Sequence, residues 1–287
     1  MKIGYIITAH TLPEHLVRLV RRLASDNARF FIHVDRRAPD AVMAAIEREL
    51  GGRPDVRLLP RHPVHWASFG PVRAALEGVR ALLESEEPLE YGVLLTGQDY
   101  PLRSPEAIES VLADAGGRSF ITFRPPEGRF LRRLTRWHWH GTVLGRRVRL
   151  PNRFLPLTVR RTVPAGLTPY TGSAHWCLSR ECLERVASTD PEIVRFFRRS
   201  AVPDESFFQT LLMSSPLADT LVNDDLRYVD WSQGGASPRV LTSYDLDRMT
   251  RSSALFARKF DPRIDSAVID CNQRRRIGFL VPVSLTR

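Results

Sequence analysis

The sequence predicts an α/β fold, with a mainly parallel central sheet and helices on both faces. Three observations lead there. Short, continuous apolar runs alternate with stretches of helical spacing through residues 1–125. The runs are rich in β-branched and aromatic residues, as strands buried on both faces require. The 287-residue chain is 43% hydrophobic and 26% charged, enough apolar material for a sizeable core.

The elements follow in order. Lys2–Ile7 is a β-branched run, and Leu12–Leu23 is a helix with Leu16, Leu19, Val20 and Leu23 on one face. Phe30–Val34 is the second strand. Pro39–Leu50 is a helix opened by proline and closed by Gly51-Gly52. Val56–Leu59, Tyr91–Thr96 and Ser119–Phe123 are further strands, separated by helices over Gly70–Leu83 and Pro105–Ala115. Residues 124–170 break the pattern. They are rich in Arg and Pro, contain Trp137-His138-Trp139-His140, and have the character of a substrate-binding excursion or of a folded insertion with core tryptophans. Regular structure resumes with a strand over Ser173–Ser179, a helix over Arg180–Ala187 and a strand over Arg227–Val229.

In folds of this class, ligands bind beyond the carboxyl ends of the strands. The polar residues at those ends are Thr8 and His10, His33 and Asp35, and Gln98 and Asp99. Asp35 has the position of an acid that bonds a ribose hydroxyl or terminates its strand. Asp99, in the turn Thr96-Gly97-Gln98-Asp99-Tyr100-Pro101, has the position of a ligand-binding acid or of one bonding its own backbone. Another acidic pair stands in Pro203-Asp204-Glu205, ahead of Phe208, Leu211 and Leu212. Helical spacing aligns Glu205 with that buried stripe, where a general base could be held; helix capping is the alternative role.

Several classes are disfavoured. No glycine cluster follows the first strand, and no phosphate-binding loop or G-x-S-x-G elbow occurs. His10, His33, Asp35 and Asp99 could converge as a metallohydrolase centre, but no His-x-His, His-x-x-x-His or Asp-x-Asp spacing supports it. The formal charge of +10 invites a polyanion- or nucleic-acid-binding reading. The basic residues are mostly arginine and look scattered, densest at Arg132-Arg133-Arg136, Arg146-Arg147-Arg149, Arg160-Arg161 and Arg274-Arg275-Arg276, without an aromatic stacking pattern. Cys177, Cys182 and Cys271 read as free thiols. No signal peptide and no apolar run of membrane-spanning length is evident, so a cytoplasmic protein is expected.

Six segments then occur in one order: His33-Val34-Asp35, Gly97-x-Asp99-x-Pro101-Leu102, Gly172-Ser173-x-x-Trp176, Pro203-Asp204-Glu205, Asp230-Trp231 and Phe256-Ala257-Arg258-Lys259-Phe260. Together they resemble the core-2/I-branching glycosyltransferase family, which includes β-1,6-N-acetylglucosaminyltransferases and protein O-xylosyltransferases. The resemblance implies a GT-A-type nucleotide-sugar-binding fold in a single domain over 1–287. Residues 1–123 would form the nucleotide-binding half and 124–287 the acceptor and catalytic half. It implies an inverting transfer from a UDP-sugar, without metal or other cofactor, in which Glu205 is the base. Asp35, Arg239 and Lys259 match donor-site residues, and His10 and Asp99 are placed with them by their strand-end positions. Trp231 matches an acceptor contact, and Trp176 and Asp204 are expected beside it. The implied partners are a UDP-sugar, with xylose or N-acetylglucosamine as the sugar, and a glycan, envelope or small-molecule acceptor with a free hydroxyl; no nucleic acid is expected. One departure is His65-Trp66-Ala67-Ser68, where relatives carry a Trp-Gly-Gly-like segment.

Overall fold

The computed structural model describes residues 1–139 and 160–274. His140, Arg146, Arg147, Arg149, Arg275 and Arg276 lie outside the described residues, as do the side chains of Cys271 and Arg274.

A seven-stranded sheet forms the centre. Its strands are β1 (Ile3–Ala9), β2 (Ala28–Val34), β3 (Val56–Leu58), β4 (Tyr91–Thr96), β6 (Ser119–Ile121), β7 (Trp176–Ser179) and β8 (Leu221–Val222), in the spatial order β3-β2-β1-β4-β7-β6-β8. The β3-β2-β1-β4 half is parallel, as expected. β7 is inserted antiparallel to both β4 and β6. Side-chain alternation splits the core. Tyr5, Ile7, Phe30 and Ile32 face one layer, with α1 (Pro13–Leu23), α2 (Asp40–Leu50) and α4 (Pro105–Asp114). Ile6, Phe31 and Leu94 face the other, with α3 (Gly70–Leu83), α6 (Arg180–Ala187) and α8 (Phe207–Met213). The remaining helices are α5 (Gly128–Thr135), α7 (Pro191–Phe197), α9 (Leu246–Arg251) and α10 (Ala267–Arg274).

Three features position the site. Thr8 is in register with both His33 and Thr96, so the carboxyl ends of β2, β1 and β4 finish level. A second sheet, β5 (Asp99–Pro101), β10 (Phe256–Arg258) and β9 (Arg227–Val229), pairs Arg258 with Asp99 and so brings the C-terminal Arg258-Lys259 to those strand ends. The expected helix over Asp204-Glu205 is different in kind. Pro203–Glu205 is a 3₁₀ turn entered through Val202 at φ 49° and left through Ser206 at φ −149°, and the α-helix starts only at Phe207. That break takes Glu205 out of phase with the buried stripe and turns it toward the surface. Among the described residues, no helix is long and apolar enough to cross a membrane.

Candidate active site

The turn bearing Asp204 and Glu205 is suspended by backbone bonds from separate parts of the chain. Val202 N donates to Ala67 O at 3.1 Å, Ala201 N to Arg133 O at 3.1 Å, and Gly172 N to Glu205 O at 2.8 Å. Thr171 Oγ1 also donates to Glu205 O, at 2.9 Å. Gly172 allows this because a Cβ there would lie 1.8 Å from Thr122 O. Val202 holds a left-handed conformation that is uncommon for a β-branched residue, so the surrounding bonds over-determine it.

Glu205 is half-buried. Its Oε2 accepts from Arg133 Nη1 at 2.5 Å, and among the described residues its Oε1 makes no hydrogen bond. One oxygen is thus fixed and the other is open to an incoming group. Asp204 beside it is perturbed: burial and the neighbouring Glu205 push its carboxyl up to about 7, against the opposing pull of Arg133 and Arg258.

Arg258 links this turn to the strand ends. Its Nη1 donates to His175 Nε2 at 2.5 Å, and its Nε stands 3.7 Å from Asp99 Oδ1. Burial and Arg258 push His175 down to about 3, so the imidazole stays neutral and accepts from the guanidinium. Asp99 is fully buried and accepts from Thr96 N at 3.0 Å and Thr96 Oγ1 at 2.8 Å. The turn-acid alternative therefore describes it: Asp99 supports Arg258 and offers no oxygen to a donor.

At the far end, His10, Asp35, Arg37 and Lys259 are near enough to act on one another. Burial lowers the His10 pKa first, Asp35 raises it, and Lys259 and Arg37 lower it further. Asp35 Oδ1 accepts from Arg37 N at 2.9 Å and Val64 N at 3.0 Å, and among the described residues Oδ2 has no partner. Lys259, one of only two lysines in the chain, touches Ser237 Oγ at 3.4 Å through its ammonium.

Two expected residues stand elsewhere. Arg239 is clamped between two carboxylates, with Asp230 Oδ2 at 2.6 Å and Asp245 Oδ1 at 2.6 Å from its Nη2, so its donors are already engaged and it offers no free positive field to a diphosphate. It pins the loop that carries Trp231, which is 55% exposed. Trp176 is a correction: it is 0% exposed, with its ring 5.4 Å from Phe208, and lies in the core. Its side chain stands on the sheet face that the helices Gly70–Leu83, Arg180–Ala187 and Phe207–Met213 cover, so it has no solvent-facing side.

Sequence reasoning missed Arg133, Arg37 and His175 as partners of these acids. Of these, His175 alone lies within one of the six segments, beside Trp176. The metallohydrolase set does not assemble. Among the described residues the three-ligand group is His33, His62 and Glu77. His62 Nδ1 lies 3.0 Å from His33 Nε2 and 3.1 Å from Glu77 Oε2, and His62 Nε2 lies 3.1 Å from Gly70 O. These bonds brace the 62–70 loop against β2.

Comparison with known proteins agrees with the motif order. The model of the Core-2/I-Branching enzyme family matches residues 3–251. The human β-1,3-galactosyl-O-glycosyl-glycoprotein β-1,6-N-acetylglucosaminyltransferase 3 is 25% identical over 300 residues, which cover 94% of this chain and 66% of that protein. Human xylosyltransferase 2 is 26% identical over 294 residues, 94% of this chain and 33% of that one. The chain thus spans between a third and just under two thirds of the length of these relatives. Among solved structures, the galactosyltransferase LgtC in complex with donor and acceptor sugar analogs aligns at TM-score 0.42 and 11% identity, covering 91% of this chain and 88% of that one. With the family model matched across most of its length, the chain belongs to the core-2/I-branching enzyme family.

Proposed function

We propose that this protein is an inverting glycosyltransferase that moves a sugar from a UDP-sugar to an acceptor hydroxyl in β-linkage, without a metal ion. The observation that carries the reading is Glu205: one oxygen anchored by Arg133, the other open, on a turn tied down by three parts of the chain. An inverting transfer needs a base held against the acceptor hydroxyl, on the side opposite the leaving group. Glu205 takes the hydroxyl proton as the oxygen attacks the anomeric carbon and the bond to UDP breaks. Lys259 meets the negative charge that develops on the diphosphate, aided by the field of Arg37. Asp35, through an Oδ2 that is unpartnered among the described residues, and His10 contact the nucleotide. Trp231 stacks on the acceptor, and Asp204, which feels both Glu205 and Arg258, is a group that changes protonation near neutrality.

The relatives' names include transferases for N-acetylglucosamine and for xylose, and these are the two sugars proposed for the donor. A thermal-shift panel of nucleotides and UDP-sugars tests the reading. UDP should raise the melting temperature and one of the two UDP-sugars should raise it further; sugar transfer should persist in excess chelator. A response to no uridine nucleotide, or transfer that strictly requires manganese, would overturn it.

A further inference from the structure

The net charge of the chain is concentrated in one stretch of its sequence. Residues 128–179 contain ten arginines and no aspartate, glutamate or lysine; taking those ten from the 42 basic residues leaves 32, equal to the 32 acidic residues. The whole excess of +10 therefore belongs to this stretch, and the arginines are not evenly scattered. Its described beginning adjoins the catalytic turn. The guanidinium carbons of Arg124, Arg129 and Arg133 lie 4.8, 5.0 and 4.7 Å from the centre of the Phe130 ring. Arg124, Arg129, Arg132 and Arg136 are exposed. Among the described residues none of these four makes an ion pair, and the exposed Glu127 pairs with none of them. Arg133 alone is paired, with Glu205.

Like charges gathered on one aromatic ring repel one another even in water. Counter-charge supplied by a ligand relieves that repulsion. Guanidinium forks match carboxylate and phosphate oxygens. Adding the distances to the shared ring puts Arg124 within about 10 Å of the guanidinium that holds Glu205. Resting on the transferase reading above, we propose that the acceptor is an anionic glycan: a saccharide carrying a carboxylate or phosphate one or two sugar rings from the hydroxyl that Glu205 deprotonates, bound through Arg124 and Arg129. A nucleic acid fits less well. The nearby Trp137 and Trp139 stack on each other, with Arg161 and Arg199 over their faces, and present no free series of rings for bases.

The test is calorimetric titration of the whole protein, with and without UDP, using an oligogalacturonate, a phosphorylated oligosaccharide, a neutral galacto-oligosaccharide of equal length and a short DNA duplex. One or both acidic saccharides should bind at least tenfold more tightly than the neutral one. That advantage should shrink between about 50 and 200 mM salt. Which acidic saccharide binds better separates carboxylate from phosphate. The double variant Arg124→Ser/Arg129→Ser should lose about tenfold in affinity for the acidic saccharide and keep its affinity for UDP and for the neutral one. Equal binding of acidic and neutral saccharides, an unchanged double variant, or DNA binding as tightly as the acidic saccharide would each overturn the proposal. Acidic-saccharide binding by a protein that never binds UDP would overturn the transferase reading, and the acceptor role with it; UDP binding without acidic preference would overturn the acceptor assignment alone.

Discussion

Two adjacent carboxylates occupy unlike surroundings in the turn before α8. Glu205 meets a guanidinium at 2.5 Å, whereas Asp204 is pushed up to about 7 by burial and by Glu205 itself. The unfolded Asp titrates near its ordinary value of about 3.9. Between about pH 4 and 7 the folded chain therefore holds a proton that the unfolded chain has lost. The stability this group contributes is fully present below pH 4 and is lost as the pH rises through 7. Asp204→Asn should flatten that slope, raising the melting temperature by about 2 °C at pH 8 and leaving it unchanged at pH 4; thermal unfolding at both values reads the difference, and a fall at pH 8 would contradict the assignment. None of this was legible in the sequence, where the acids are two letters at a helix start. Trp176 teaches the converse. Its place in a family motif suggested an acceptor contact, but its burial on β7 makes it core.

Among the elements, most were legible one by one, including the short strands Val56–Leu58 and Arg227–Val229, whereas β5 and β10 were not. The helix Gly70–Leu83 and the strand Tyr91–Thr96 fall where apolar spacing puts them, because their buried residues carry a full period. The three-residue strands β5 and β10 have no period to read, and their pairing is a long-range event that local pattern does not encode. The reversal of β7 escaped for the same reason: an apolar strand between two others looks alike in either direction. The Gly-Ser of Gly172-Ser173-x-x-Trp176 acquires a cause only in three dimensions. Gly172 passes against Thr122 O while its N–H holds Glu205 O. Gly172→Ala should displace the turn, costing roughly 2–4 kcal/mol in a urea melt and most of the transfer rate, while UDP binding at the far strand ends survives. Loss of UDP binding with intact stability would place Gly172 elsewhere in the mechanism.

At the scale of the molecule, the level ends of β1, β2 and β4, the Arg258-Lys259 segment and the Asp204-Glu205 turn form one linked set of charges. Lys259 acts on His10 at one end, and Arg258 acts on Asp204 at the other. The order of six short motifs pointed to this set before any contact was known, since each motif lies at a strand end or in a turn. What the order withheld was the division of labour: Asp99 and Arg239 hold other residues in place, while among the described residues Glu205 and Asp35 each keep a carboxylate oxygen without a partner and the Lys259 ammonium meets only Ser237. The most direct measurement is therefore Glu205→Gln, which keeps the size of the side chain and removes its capacity to take a proton. Transfer to the acceptor should fall by at least a thousandfold, of the order expected when a general base is lost, while UDP still shifts the melting temperature as it does in the unaltered protein. A Glu205→Gln protein that transfers sugar at the full rate would contradict the account.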